Sequence, residues 1–234
     1  MKIALLGYGK MGKTIESVAQ ERQHQVVAYW DKDLQQGNLN DADVAINFST
    51  PDAAVVNIKT GLDAQLPVIC GTTGWLGAEK EIHDYCSERQ GAFLYASNFS
   101  IGVNLFFKLN KQLAQWMQAH EDYKVHLEET HHTQKLDAPS GTALQLAEDI
   151  IAHSAYNSWE LNTKTNPQAL PISAHREGEV PGIHEIQYSS TSDKISLRHE
   201  AFSRKGFALG AIIAAEWIIG KKGIFNMEDV LKLS

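Results

Sequence analysis

Lys2-Ile3-Ala4-Leu5-Leu6-Gly7-Tyr8-Gly9-Lys10-Met11-Gly12 is the stretch on which the fold turns. A short apolar run stops at a glycine, the pattern of a buried strand. Glycines 7, 9 and 12 follow directly, and a helical pattern then runs to Arg22 with Ile15, Val18 and Ala19 at core spacing. Between a strand and a helix, the first glycine of such a loop permits a tight turn and the second lets a pyrophosphate approach the backbone. The third lets helix and strand pack closely. The anion would sit at the positive end of the helix. Gly7, Tyr8, Gly9, Lys10, Met11 and Gly12 are therefore candidate dinucleotide contacts.

Working outward, the next apolar run, Val26 to Trp30, ends at Asp31, 31 − 12 = 19 residues beyond the last glycine. A carboxylate there accepts hydrogen bonds from an adenine-ribose hydroxyl. Its charge repels the 2′-phosphate of NADPH, and the adjacent Lys32 offsets that repulsion, so NADH and/or NADPH is the expected cofactor. The plain alternatives are a glycine turn with an ordinary surface aspartate, and a solvated Lys10 at a helix start. Strand-like runs recur at 44–48, 68–70 and 92–95, with helical segments starting near Pro51 and Ala78. Strands alternating with helices predict a parallel sheet covered on both faces.

The pattern changes after about residue 120. A helix over roughly 102–118 presents Leu105, Phe106, Leu109, Leu113 and Trp116 as its apolar stripe. The segment 123–131 alternates, with Val125 and Leu127 on one side and Lys124, His126 and Glu128 on the other. Extended segments near 170–176, 183–188 and 194–200 lie close together without helices between them, which predicts a mixed sheet. A helix over about 206–220 is apolar nearly all round, and Trp116, Trp159 and Trp217 read as packing on helical faces. The expected architecture is α/β: a Rossmann-type dinucleotide-binding domain over 1–102 and an α+β substrate domain with a mixed sheet over 103–205. Residues 206–234 return to the first domain.

Composition narrows the function. The 234 residues carry 21 Lys and Arg against 28 Asp and Glu, a net charge of −7, which argues against nucleic acid as a partner. Two cysteines, Cys70 and Cys86, are too few for a disulfide framework and fit a reducing compartment. No apolar stretch reaches the roughly 20 residues that span a bilayer, and the opening residues do not read as a secretory signal. A cytoplasmic protein without membrane partners is expected.

Against that acidic background, Glu129-Thr130-His131-His132-Thr133-Gln134-Lys135-Leu136-Asp137-Ala138-Pro139-Ser140-Gly141-Thr142-Ala143 holds three potential cations within five residues. It runs into a helix start with Ser140 as N-cap and free N–H groups at Gly141 and Thr142. A helix N-terminus beside a lysine and imidazoles suits a carboxylate, and histidine delivers protons near neutral pH. A zinc site is disfavoured, because adjacent residues on a strand point to opposite faces and the spacing matches no common zinc pattern. A solvated strand end is the blander reading.

With these motifs in hand, the chain resembles the 4-hydroxy-tetrahydrodipicolinate (dihydrodipicolinate) reductases. The stretch Glu129 to Ala143 is that family's signature. Cys70-Gly71-Thr72-Thr73-Gly74, residues 96–104, Arg176-x-Gly178-x-x-x-Gly182-x-His184 and Ser203-Arg204 support it. The glycine loop is one residue shorter than the family's common form, and Asp31-Lys32 stands where many members carry glutamate and arginine. The resemblance implies nicotinamide-dependent reduction of a small dicarboxylate in diaminopimelate and lysine synthesis, by a homotetramer joined through the second domain's sheets. It implies His131 as proton donor and Lys135 as second catalytic group, with His132, Gly141 and Thr142 binding carboxylates beside Ser140. Gly71, Thr72 and Thr73 would lie along the cofactor, and Ala96, Ser97, Asn98 and Phe99 would frame its nicotinamide end. The roles of Arg176, His184 and Arg204 stay open between substrate contact and structural bonding. Two rivals remain: a reductase of another small acid, and a non-enzymatic dinucleotide sensor.

Overall fold

The structure, a computed structural model, describes residues 1–163 and 165–233 and divides into two units, Met1–Ile101 with Arg204–Ser234, and Gly102–Ser203. The first unit opens with β1 (Lys2–Leu6), α1 (Lys10–Glu21), β2 (Gln25–Asp31), β3 (Leu34–Gly37), β4 (Val44–Asn47) and α2 (Pro51–Asp63). It continues with β5 (Val68–Cys70), α3 (Glu79–Glu88) and β6 (Ala92–Tyr95). The second unit contains α4 (Ile101–Met117), β7 (Lys124–His131), α5 (Gly141–Ile151), β8 (Ser158–Leu161), β9 (Ala169–Arg176), β10 (Gly182–Ser189) and β11 (Lys194–Ala201). The chain then re-enters the first unit as α6 (Lys205–Ile218), β12 (Gly223–Phe225) and α7 (Met227–Leu231).

In the first unit the sheet runs β3-β2-β1-β4-β5-β6-β12, parallel throughout except for the β2–β3 hairpin. Alternate residues of its strands point to opposite faces, so each face has its own core. Ile3, Leu5, Val44, Ile46 and Leu94 pack with α1 and α6, while Ala4, Leu6, Val68, Cys70 and Phe93 pack with α2 and α3. Full burial of each such aliphatic side chain contributes about 1.5–3 kcal/mol. The near-uniform apolarity of α6 follows from its place: Ala208, Gly210, Ala211, Ile212, Ala214, Ala215 and Ile218 are all buried. Chain order reverses between β1 and β4, the switch point at which such sheets open a ligand crevice.

The second unit is a five-stranded mixed sheet, β11-β10-β7-β9-β8, with β7, β8 and β9 parallel and β10 antiparallel to both its neighbours. Phe106 and Ala114 of α4 and Leu146, Ala147 and Ile150 of α5 pack on the row that contains Val125 and Leu127 of β7. Among the described residues, no helix is long and apolar enough to cross a membrane.

Several expectations need correcting. Of the expected stripe Phe106 is buried and Leu113 packs against the core, but Leu105, Leu109 and Trp116 are exposed, and α4 buries Val103, Asn110 and Ala114 in their stead. The helix has two apolar faces, so composition alone could not choose the one turned inward. Trp159 sits on a strand, β8, and is partly exposed. The short strands β3, β8 and β12 carry three or four residues each, too few to show a period.

Candidate active site

The glycine loop bends as its residues require. Gly7 has φ of +103°, and a Cβ there would lie 2.3 Å from the Phe48 carbonyl oxygen. A Cβ on Gly12 would lie 2.5 Å from the Gly7 carbonyl oxygen, so the third glycine sets how closely α1 packs on the turn. Gly9 differs. Its φ is −76°, and a Cβ would meet nothing within 4 Å. The fold itself does not demand a glycine at that position; a ligand approaching the backbone does.

Gly9 also caps α1, whose first turn carries no acidic side chain and no side-chain cap, leaving its N–H groups for an anion. Alongside runs a cleft of about 940 Å³ lined by Gly9, Lys10, Met11, Asp31, Lys32, Gly71, Thr72 and Thr73. The Asp31 carboxylate is braced at the end of β2 by the Tyr8 N–H at 2.5 Å and the Lys32 N–H at 2.7 Å. Phe48 contributes to the same wall, and its ring passes so close to Gly71 that a Cβ there would overlap it. The donor set, the bare helix start and the braced carboxylate fit a nicotinamide dinucleotide.

Five other predicted cofactor residues are not among those lining this cleft. The Tyr8 hydroxyl donates to Glu16, which also accepts from Tyr29, so that side chain is engaged within the unit. Phe99 is buried in the core with its ring 5.7 Å from that of Phe48, so it supports the cleft wall from behind. Ala96 donates its N–H to the Cys70 carbonyl, and Ser97 is exposed just after β6. Asn98 turns its side-chain oxygen to the Ser100 N–H. Burial pushes the Cys70 thiol up to about 11, which makes it an inert small hydrophobe.

In the second unit, the inward row of β7 reads Val125, Leu127, Glu129, His131. The last two positions are polar, and they are buried. Across the antiparallel ladder Glu129 faces His184, and a Cβ on Gly182 of β10 would lie 3.2 Å from His131 Nε2. The rings of His131 and His184 meet edge to face at 5.0 Å. Among the described residues the buried polar side chains are seven, and four of them, Glu129, His131, Ser140 and His184, are gathered here. Burying polar groups is costly unless they are paired, so this concentration marks the site.

Glu129 is the hub. Its oxygens accept from the Ser140 N–H at 3.1–3.2 Å and from Arg176 Nη2 at 3.2 Å. Its Oε2 lies 3.6 Å from His131 Nδ1 and 3.7 Å from His184 Nε2. Burial by itself would raise its pKa, but bonding to His184 and Ser140 and the nearness of His131 outweigh that and hold it at about 2. Burial pushes His131 down to about 4 against the opposing pull of Glu129, with His184, Lys135 and Arg176 adding to the depression. Glu129, His131 and His184 offer ligand atoms within 4.8 Å of one another, a set that no sequence spacing announced. The Arg176 guanidinium already supplies the cation beside that carboxylate.

The loop after β7 is stapled by Arg176, whose Nε donates to the Lys135 carbonyl and whose Nη2 donates to the Asp137 carbonyl. Lys135 Nζ is paired with Asp137 at 2.8 Å, and His132 is partly exposed at the strand's end. Ser140 caps α5, accepting the Ala143 N–H at 3.2 Å, while its Oγ contacts His184 Nε2 at 3.1 Å. Its N–H and its Oγ are thus both engaged within the unit. Gly141 and Thr142, in the first turn ahead of the first intrahelical bond from Leu144, keep outward N–H groups. Arg204 sits at the N-cap of α6 with no side-chain cap bond, and belongs to the first unit.

Residues 1–99 match the model of the dihydrodipicolinate reductase N-terminus, and residues 102–231 match that of its C-terminus. The chain belongs to the dihydrodipicolinate reductase family. It is accordingly an oxidoreductase that uses NAD(P)H. A 4-hydroxy-tetrahydrodipicolinate reductase from Christiangramia forsetii is 51% identical over 99% of this chain and 98% of its own length. One from Methanosarcina barkeri is 38% identical over 82% of this chain and 74% of its own. Among solved structures, dipicolinate-bound dihydrodipicolinate reductase from Paenisporosarcina sp. TG-14 superposes with a TM-score of 0.80 at 22% identity, covering 98% of both chains. A probable dehydrogenase from Thermotoga maritima matches at 0.62 with 10% identity. These two likenesses speak for the fold.

Sequence reasoning missed Glu129 as a site residue and left Arg176 and His184 unassigned. The signal was present. Extending the period-two row of Val125 and Leu127 by two steps puts Glu129 and His131 on the core side.

Proposed function

We propose that this enzyme reduces 4-hydroxy-tetrahydrodipicolinate (dihydrodipicolinate) to tetrahydrodipicolinate in diaminopimelate and lysine synthesis, with His131 as proton donor. The observation that carries the reading is a buried imidazole, near a lysine and a helix start with free N–H groups at Gly141 and Thr142, in a chain whose other unit holds a dinucleotide cleft. One substrate carboxylate takes the Gly141 and Thr142 N–H groups at the N-terminus of α5, and His132 assists from the strand end. Lys135 exchanges its Asp137 partner for the substrate.

Loss of the C4 hydroxyl as water gives the conjugated cyclic imine, and the reduced cofactor, when bound, would supply hydride to its C4. Negative charge moves through the ring toward nitrogen, where Lys135 stabilises it, an effect that grows toward the transition state. C3 of the enamine takes a proton from His131 Nε2, the ring nitrogen not enclosed beside Glu129. In the free protein His131 is neutral at pH 7. The arrival of two carboxylates favours its charged form, so the proton enters with the substrate. Holding acid and ring together makes the step effectively intramolecular.

The test is steady-state NADH and NADPH oxidation with 4-hydroxy-tetrahydrodipicolinate, with pyruvate and sugar acids as controls. His131→Asn should lower kcat by about 10² to 10⁴ while leaving NADH binding intact. Lys135→Ala should lower kcat and raise KM together. Turnover on a control acid alone, or cofactor binding without turnover on any of them, would overturn the reading.

The enzyme works in the cytoplasm as a homotetramer. Support comes from the sheet face of the second unit opposite α4 and α5, where His126, Glu128, Thr130, Ile183, Glu185 and Gln187 form a continuous, half-buried patch for a second copy.

A further inference from the structure

We propose that Glu129 is the positioning residue of the reductase site: one buried carboxylate sets both the orientation of the His131 ring and the place of the helix start that receives the substrate. The inference rests on His131 being the proton donor. Glu129 Oε2 lies 3.6 Å from His131 Nδ1, and among the described residues that enclosed nitrogen has no partner at hydrogen-bond distance. The same carboxylate takes the Ser140 N–H, and Ser140 caps α5. Acid and carboxylate cradle are thus referred to one side chain. His184 closes the arrangement, with Nε2 facing both Ser140 Oγ at 3.1 Å and Glu129.

The distances of 3.6 and 3.7 Å exceed a hydrogen bond, as is common before a ligand tightens a catalytic site. Charge decides the direction of the effect. The groups facing His131 are Glu129 on its own strand, His184 from β10, Arg176 from β9 and Lys135 from the loop. His199 of β11 adjoins His184, and Asp137 neutralises Lys135. Among the groups acting on His131, Glu129 alone favours the protonated ring. Removing its charge makes the acid harder to load at neutral pH. Shortening it keeps the charge but withdraws it from Ser140.

Two variants separate these effects, each assayed as intact enzyme with thermal unfolding as the folding control. For Glu129→Gln, the alkaline limb of the kcat–pH profile should move about one unit or more to lower pH, with kcat at pH 7.5 down at least about tenfold. For Glu129→Asp, the limb should stay in place while substrate KM rises. A second readout needs no variant of Glu129: ¹⁵N shifts of His131 should show the Nδ1–H tautomer in the free enzyme and both nitrogens protonated with dipicolinate bound. An unmoved limb in Glu129→Gln, or an Nε2–H tautomer in the free enzyme, overturns the proposal. If His131→Asn retains full kcat, the proton-donor reading itself falls. If His131→Asn is inactive while the Glu129→Gln limb is unmoved, only the role of Glu129 falls.

Discussion

A neutral, buried histidine makes the protein sensitive to mild acid. His131 titrates at about 4 in the folded chain and near its ordinary value of 6.5 when unfolded, so between those values the unfolded state binds more protons. Stability therefore rises with pH across that window and is lost as pH falls through it. Above about pH 5.5 Glu129 stays largely ionised in both states, and His199, also lowered by burial, acts in the same direction as His131. Melting temperature should fall from about pH 6.5 to about pH 5.5, and fall less in His131→Gln. Equal slopes would mean that His131 is not held neutral. At this scale the motif was readable, because an imidazole, a lysine and a capped helix start are local in sequence. The partners Arg176 and His184 lie 45 and 53 residues beyond His131, and only strand register brings them together.

The glycine loop shows how a single element separates folding from binding. Gly7→Ala forces a side chain into positive φ and onto the Phe48 carbonyl, and should destabilise the protein by about 2–4 kcal/mol. Gly9→Ala meets open space at an ordinary φ. It should leave the melting temperature nearly unchanged yet weaken NADH binding by roughly tenfold, about 1.4 kcal/mol. Isothermal titration beside thermal unfolding reads both. Comparable loss of stability in the two variants would show that Gly9 is structural. Helix α4 teaches the opposite lesson: Leu105, Leu109 and Trp116 lie along one face as Phe106, Asn110 and Ala114 do along another. Periodicity identified the helix and could not orient it.

For the whole molecule, a sheet covered by helices on one face only presents the other to a partner. Light scattering should give a mass near four chains. Gln187→Arg, which places a longer, charged side chain within the proposed interface, should yield smaller species with unchanged secondary structure by circular dichroism. A monomeric wild type would remove the assembly.

Sequence by itself determined the strand–glycine–helix unit, the alternation of elements and the polar stretch from Glu129 to Ala143, because each is encoded by neighbours a few residues apart. Tertiary structure alone decided that Glu129, His184 and Arg176 join His131, that Glu129 holds the Ser140 N–H, and which face of α4 is core. The gathering around His131 depends on register across β7, β9 and β10. A shift of one residue in β7 would turn Glu129 and His131 to the opposite face.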